Sequence, residues 1–305
     1  MALAAPDAPG LRPVLGRRAC LISVLLGACA VDTDRDHTGP LVPLSGPLPR
    51  VPRTAWVFSS GGPRGFVHVG VVKALEELQV RPDLLVGASA GALVGVFCAA
   101  GMRAAEMEAL ALDLPVARLL RLSWGGSQRL SGQGVADFVR DELRRLGHAT
   151  PLETLPIMAA CVAQRLGDGT AVAFTRGDAG LAVQAATAIE GQFAPLRILG
   201  QRHADADLVQ PLPVRLARAL GAQRVLAVDA SAHEDQAPAG AASYRQSDLR
   251  KRALTQPDAV LADVLLHPQF GYWASTSREY RQRCIAAGYH DTLAQAPRIL
   301  ALHAA

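Results

Sequence analysis

Lysine is almost missing from this chain of 305 residues. Only Lys73 and Lys251 occur, and the remaining positive charge is arginine. The formal net charge is a small +4, and no basic stripe carries interleaved aromatics, which excludes a nucleic-acid-binding face. Five cysteines, none in a C-x-x-C pair and none followed by histidine at zinc-finger spacing, are too few for a disulfide framework and wrongly spaced for zinc. Cys98 lies in an apolar run and is expected as core. The glycine-rich stretch at 60–65 is followed by no G-K-[ST], so it is no P-loop. Internal repeats are absent. Half of the residues are hydrophobic and 19% are charged, which fits a globular protein with a buried core. The length makes one large domain or two small ones.

The N-terminus reads as an address. Arg12, Arg17 and Arg18 precede an apolar run at 19–28, which at about ten residues is half of what a membrane span needs. The run ends in Leu26-Gly27-Ala28-Cys29, which resembles a bacterial lipobox. That resemblance implies a lipoprotein-type signal peptide at 1–28, a diacylated Cys29 and a membrane anchor through buried acyl chains. Localisation is then the cell envelope, at the outer membrane or facing the periplasm, with an ordinary cleaved signal peptide or a cytoplasmic protein as the other readings. Residues 29–53, rich in Pro and Gly and without apolar periodicity, read as a tether. Asp32, Asp34 and Asp36 do not make a calcium loop, since His37 and Pro43 stand where glycine and glutamate are required.

From residue 54 onward short apolar runs alternate with helical patterns. Strands are expected at 55–59, 84–87, 157–163, 171–174 and 224–228, and helices at 66–80 and 90–100. This alternation predicts an α/β fold with a mostly parallel sheet and a single domain over 54–305. The apolar stretch 114–122 is expected as a core helix rather than a lid.

Two motifs carry chemistry. Gly87-Ala88-Ser89-Ala90-Gly91 follows an apolar strand and opens an apolar helix, the setting that a nucleophile elbow requires. The helix N-terminus would face developing negative charge. Ser60-Gly61-Gly62-Pro63-Arg64-Gly65 also lies between strand and helix, and its backbone N–H groups suit an oxyanion hole.

Together these motifs resemble the patatin-like phospholipases, whose pattern is a G-G-G-x-R-G loop and then a G-x-S-x-G elbow. The segments 185–195 and 203–229, and stretches near the C-terminus, fit the same family, so the resemblance covers roughly residues 54–300. It implies a three-layer α/β/α sandwich and a serine acyl-hydrolase of phospholipase A or lysophospholipase type, acting on the carboxylic esters of lipids without metal or cofactor. In that reading Ser89 is the nucleophile, Asp205 its base, and Gly61, Gly62 and Arg64 match the oxyanion loop. Four positions depart from the pattern. Ser60 replaces the first glycine, Ala206 and Asp207 replace the Gly-Gly or Gly-Ala after the aspartate, and Glu190 replaces a common proline. If residue 206 needs positive φ, alanine there is strained by about 1 kcal/mol. Asp207 either raises the pKa of the base or sits in solvent.

Other readings stay open at this level. A Ser–His–Asp triad could draw on His233, His267 or His290. His203, Asp205 and Asp207 alternate as metal ligands on a strand would. A catalytically degenerate domain of the same fold could bind lipid or protein without turnover.

Overall fold

The computed structural model describes residues 31–32, 35–114, 119, 121–124 and 130–304. Cys29 and the signal peptide expected at 1–28 lie outside them. In chain order the strands are β1 (Val31–Asp32), β2 (Asp36–His37), β3 (Thr54–Phe58), β4 (Leu84–Ala88), β5 (Arg121–Trp124), β6 (Leu130–Ser131), β7 (Met158–Arg165), β8 (Thr170–Phe174), β9 (Leu196–Ile198), β10 (Gln201–Asp205), β11 (Arg224–Val228) and β12 (Val264–Leu266). The helices are α1 (Phe66–Glu77), α2 (Ala90–Ala99), α3 (Ala104–Asp113), α4 (Gln133–Arg145), α5 (Ala179–Ala186), α6 (Val214–Ala219), α7 (Arg245–Ala259), α8 (Arg278–Ala294) and α9 (Ala296–Ala304).

Nine strands form the central sheet, hydrogen-bonded in the order β12-β11-β3-β4-β7-β10-β9-β2, with β8 also on β7. The run from β12 to β7 is parallel throughout, and antiparallel pairing enters only where β8 and β10 meet β7 and where β10 meets β9. The predicted mostly parallel α/β architecture is therefore present. A strand buried on both faces must be apolar at every position. In β3, Trp56 and Phe58 join the core on one face while Ala55 and Val57 join the core on the other. The first face is covered chiefly by α1 to α5, α8 and α9, the second by α6, residues of the α7 end and Leu48.

The strand at 157–163 runs unbroken to Arg165, past Cys161, whose side chain is core. Two expectations are revised. Residues 35–53, read as a tether, lie against the domain. β2 pairs with β9, Leu44 and Arg176 exchange backbone hydrogen bonds of 3.1 and 3.2 Å, and Val42 is buried. A strap bonded along one side has no face to alternate, so it leaves no periodicity to read. Of the stretch 114–122, the described ends depart from the expected helix: α3 ends at Asp113, Leu114 is extended, and 121–124 is a strand pairing with β1 and β6. Residues 115–118 and 120 lie outside the described set. Among the described residues, no helix is long and apolar enough to cross a membrane.

Candidate active site

β4 ends at Ala88 and α2 begins at Ala90, which leaves Ser89 alone at the turn. Its φ of 52° and ψ of −125° are a conformation that an L-residue holds only when its surroundings impose it. The imposition comes from both sides. β4 is locked between β3 and β7. α2 then packs so close behind that a Cβ on Gly91 would lie 2.3 Å from the Phe58 carbonyl oxygen. The turn lifts the hydroxyl off the strand line and sets it at the N-terminus of α2, where unbonded N–H groups and the helix dipole favour negative charge.

The register of β7 brings Asp205 to this turn. Ala88, the last residue of β4, pairs with Val162. Asp205, the last residue of β10, pairs with Ala163. β8 pairs along Cys161–Arg165 and overlaps both contacts, so it must occupy the opposite edge of β7. β4 and β10 therefore share one edge, end to end. Asp205 is also held by its N–H, which donates to the Ala188 carbonyl at 3.0 Å.

The Asp205 residue is only 4% exposed. Burial pushes its carboxyl up to about 7; the Ser89 hydroxyl and the Lys251 charge act against that rise, and the neighbouring Asp207 charge adds to it. Oδ1 accepts the Asp207 N–H at 2.9 Å. Oδ2 is buried with no well-directed donor. The Ser89 hydroxyl lies close enough to this carboxyl to lower its pKa.

The glycine-rich loop runs over the same ground. Gly62 has φ of +53°, open to glycine at little cost, and begins a 3-10 turn that leads into α1. Among the described residues, neither the Gly61 nor the Gly62 N–H donates to another protein group. Gly62 and Ser89 line one cavity of about 270 Å³, whose wall is almost wholly apolar and includes Leu93, Val94, Phe97 and Phe138. Gly61 lies behind, against Ala230, and the Arg64 guanidinium turns aside to donate to the Tyr272 carbonyl at 2.8 Å.

Residues beyond the two motifs fix this loop. His68 is fully buried and stacks on Phe58, and its Nε2–H donates to the Ser59 carbonyl at 2.9 Å. Burial pushes its imidazole down to about 4, so it stays neutral. The Ser60 N–H donates to the Pro211 carbonyl at 2.8 Å. The departures from the family pattern also find their places. Ala206 does not adopt positive φ, so the suspected strain is absent. Glu190 is exposed. Asp207 is not left to solvent: its carboxylate accepts from Lys251 Nζ at 2.6 Å and from the Ser60 hydroxyl. Burial raises the Asp207 pKa, but the Lys251 charge, the bonds from Lys251 and Ser60 and the Arg64 charge together hold it below the usual range. Sequence reasoning did not single out Lys251 for the site. Its scarcity, one of two lysines in an arginine-rich chain, was the only signal.

The rival constellations do not gather at Ser89. His233 and His267 stack on each other with rings 3.7 Å apart and bond the Pro268 and Ser231 carbonyls. Neither they nor His290 line the cavity at Ser89. Among the described residues, no three His, Cys, Asp or Glu side chains are placed to hold a metal ion. Cys98 and Cys161 are buried, and burial pushes both thiols up to about 12, far from a reactive thiolate.

Known proteins resemble this chain. An uncharacterized NTE family protein of Mycobacterium tuberculosis is 35% identical over 185 residues, 60% of this chain and 50% of the relative. The lysophospholipase NTE1 of Saccharomyces cerevisiae is 28% identical over 193 residues, 60% of this chain but 11% of that protein. The chain thus matches about half the length of its mycobacterial relatives. Among solved structures, VipD from Legionella pneumophila superposes with a TM-score of 0.55 at 14% identity, covering 90% of this chain and 72% of the other, a likeness of fold. The family model of the patatin-like phospholipases matches residues 56–218, more than half of the chain and a span that includes the glycine-rich loop, Ser89 and Asp205, and the chain belongs to that family.

Proposed function

We propose that the protein is a lipid acyl-hydrolase of the phospholipase A or lysophospholipase type that works through a Ser89–Asp205 dyad. The observation that carries this reading is the buried carboxyl of Asp205, raised to about 7, set by register beside a strained serine at the mouth of an apolar cavity. A base poised near neutrality suits proton transfer from a hydroxyl. Asp205 takes the Ser89 proton as Oγ attacks the ester carbonyl. The oxyanion is stabilised by the Gly61 and Gly62 N–H groups and the N-terminus of α2. Collapse breaks the ester C–O bond, and Asp205 returns the proton to the leaving alcohol. Water, deprotonated by Asp205, then attacks the acyl carbonyl; the C–O bond to Ser89 breaks, Asp205 returns the proton to Ser89 Oγ and the free acid leaves. The apolar cavity receives the acyl chain.

The test uses p-nitrophenyl esters of graded chain length, with a fluorophosphonate probe for Ser89. Wild-type protein is expected to turn over and to label, while Ser89→Ala and Asp205→Asn lose roughly 10³-fold or more in kcat. A folded wild-type protein with neither turnover nor label would instead be a lipid-binding domain of this family. The anchor at Cys29 belongs to the same proposal: Cys29→Ala is expected to move the protein from the membrane fraction to the soluble one.

A further inference from the structure

We propose that Lys251, Asp207 and Ser60 form a clamp that ties the glycine-rich loop to the turn carrying Asp205 and balances the charge beside that base. The inference rests on the dyad reading and assigns three positioning residues to it.

The clamp is built from two of the departures from the family pattern. A glycine at position 60 has no hydroxyl, and a glycine or alanine at 207 has no carboxylate, so the direct hydroxyl–carboxylate link needs both changes, while Lys251 also reaches the Ser60 carbonyl at 3.4 Å. Here the Ser60 hydroxyl donates to Asp207 Oδ1. Lys251, reaching in from α7, donates to the same Oδ1 at 2.6 Å and to Ser60 Oγ at 3.0 Å. The chain of bonds continues on both sides. The Asp207 N–H holds Asp205 Oδ1, and the Ser60 N–H holds the Pro211 carbonyl. The loop that carries the oxyanion donors and the turn that carries the base are thus joined through side chains as well as backbone. Ser60 is 1% exposed, while the Lys251 and Asp207 side chains keep 21% and 38% of their surface.

A carboxylate two residues from the catalytic base would hinder ionisation of that base if left unpaired. Lys251 supplies the opposite charge at the same point. The charged groups that act on Asp205 are Asp207 from its own turn and Lys251 from α7, and they act in opposite directions. Arg64, from the glycine-rich loop, acts on Asp207. His68, from α1, is buried and neutral.

The experiment is the pH dependence of kcat/KM on a short p-nitrophenyl ester, with folding of each variant checked by circular dichroism. Lys251→Met leaves Asp207 unbalanced, and the acid limb is expected to move up by about one pH unit, a roughly tenfold loss on the acid side. Asp207→Asn leaves Lys251 unbalanced and is expected to move the limb down by a similar amount. Lys251→Met with Asp207→Asn is expected to return it to within a few tenths of a unit of wild type, and Lys251→Arg to leave it in place. Ser60→Ala keeps both charges and the Lys251 bond to the carbonyl of residue 60 but removes the hydroxyl bonds to Asp207 and Lys251; kcat is expected to fall several-fold with KM and the limb unmoved. Limbs that stay put, or that move the same way in both single variants, overturn the clamp while Ser89→Ala and Asp205→Asn remain inactive. Full activity in Asp205→Asn removes the dyad itself and the clamp with it.

Discussion

Ser89 and Asp205 meet because one strand holds the ends of both their strands: Ala88 pairs with Val162 of β7, and Asp205 pairs with the next residue, Ala163, on the same edge. The carboxylate is therefore placed by backbone hydrogen bonds, with little freedom to search. Asp205→Glu lengthens the side chain by one methylene from that fixed rung. Because displacement of about 1 Å costs on the order of 10²-fold in rate, the variant is expected to lose that much kcat while KM for a short ester stays near wild type. Steady-state kinetics at saturating substrate checks it.

Activity is expected to rise with pH through about 7. In the proposed dyad Asp205 acts as a base only when ionised, and burial, opposed by the Ser89 hydroxyl, pushes its pKa to about 7. Below that value the carboxyl is protonated and the dyad is silent. A plot of log kcat/KM against pH should show unit slope on the acid side and a plateau above neutrality. His68, at about 4, contributes no limb in this range.

The same burial makes Asp205 costly to the fold. The folded pKa lies above the ordinary aspartate value of the unfolded chain, so the protein is at its least penalised below about 4, where both states are protonated. Stability then falls as pH rises towards 7, and the penalty is complete above it. Asp205→Asn removes the ionisable group, and is expected to stabilise the protein by a few kcal/mol at pH 8 and hardly at all at pH 4. Thermal unfolding of both proteins at the two pH values reads this directly. The Asn variant would thus be more stable and less active.

The parts of the site that were legible in sequence are those where local chemistry and tertiary need coincide. The strand expected at 84–87 and the helix at 90–100 differ from β4 and α2 by one residue each, because an apolar run buried on both faces, a small-residue turn and an apolar helix follow without interruption. The strand at 224–228 is β11. What escaped depends on partners distant in sequence. Lys251 sits on a polar, exposed helix whose neighbours Arg250 and Arg252 look no different, and only packing shows that it reaches Ser60, 191 residues away. The strap at 35–53 bonds the segment 175–178 through its backbone, which side-chain pattern does not report. At 121–124 a strand forms through pairing with β1 and β6 in a small separate sheet, although the leucines before it favoured a helix.

The apolar cavity should set acyl-chain preference. It is bounded on one side by α2, whose first residues hold Ser89 and whose Leu93 and Phe97 face the cavity, and on another by Phe138 of α4. Leu93 is half-buried and packs at the edge of the main core, so a larger ring there fills space that a substrate would use and does not unseat the sheet. Leu93→Trp is expected to lower kcat/KM for long-chain esters tenfold or more, since the acyl methylenes lose burial worth about 0.8 kcal/mol each. Short esters, which in the proposed mechanism need only the dyad and the Gly61–Gly62 donors, should be cleaved at close to the wild-type rate. A chain-length series on the two proteins decides the matter: parallel profiles would place the acyl chain elsewhere, and profiles that diverge with length would place it in this cavity.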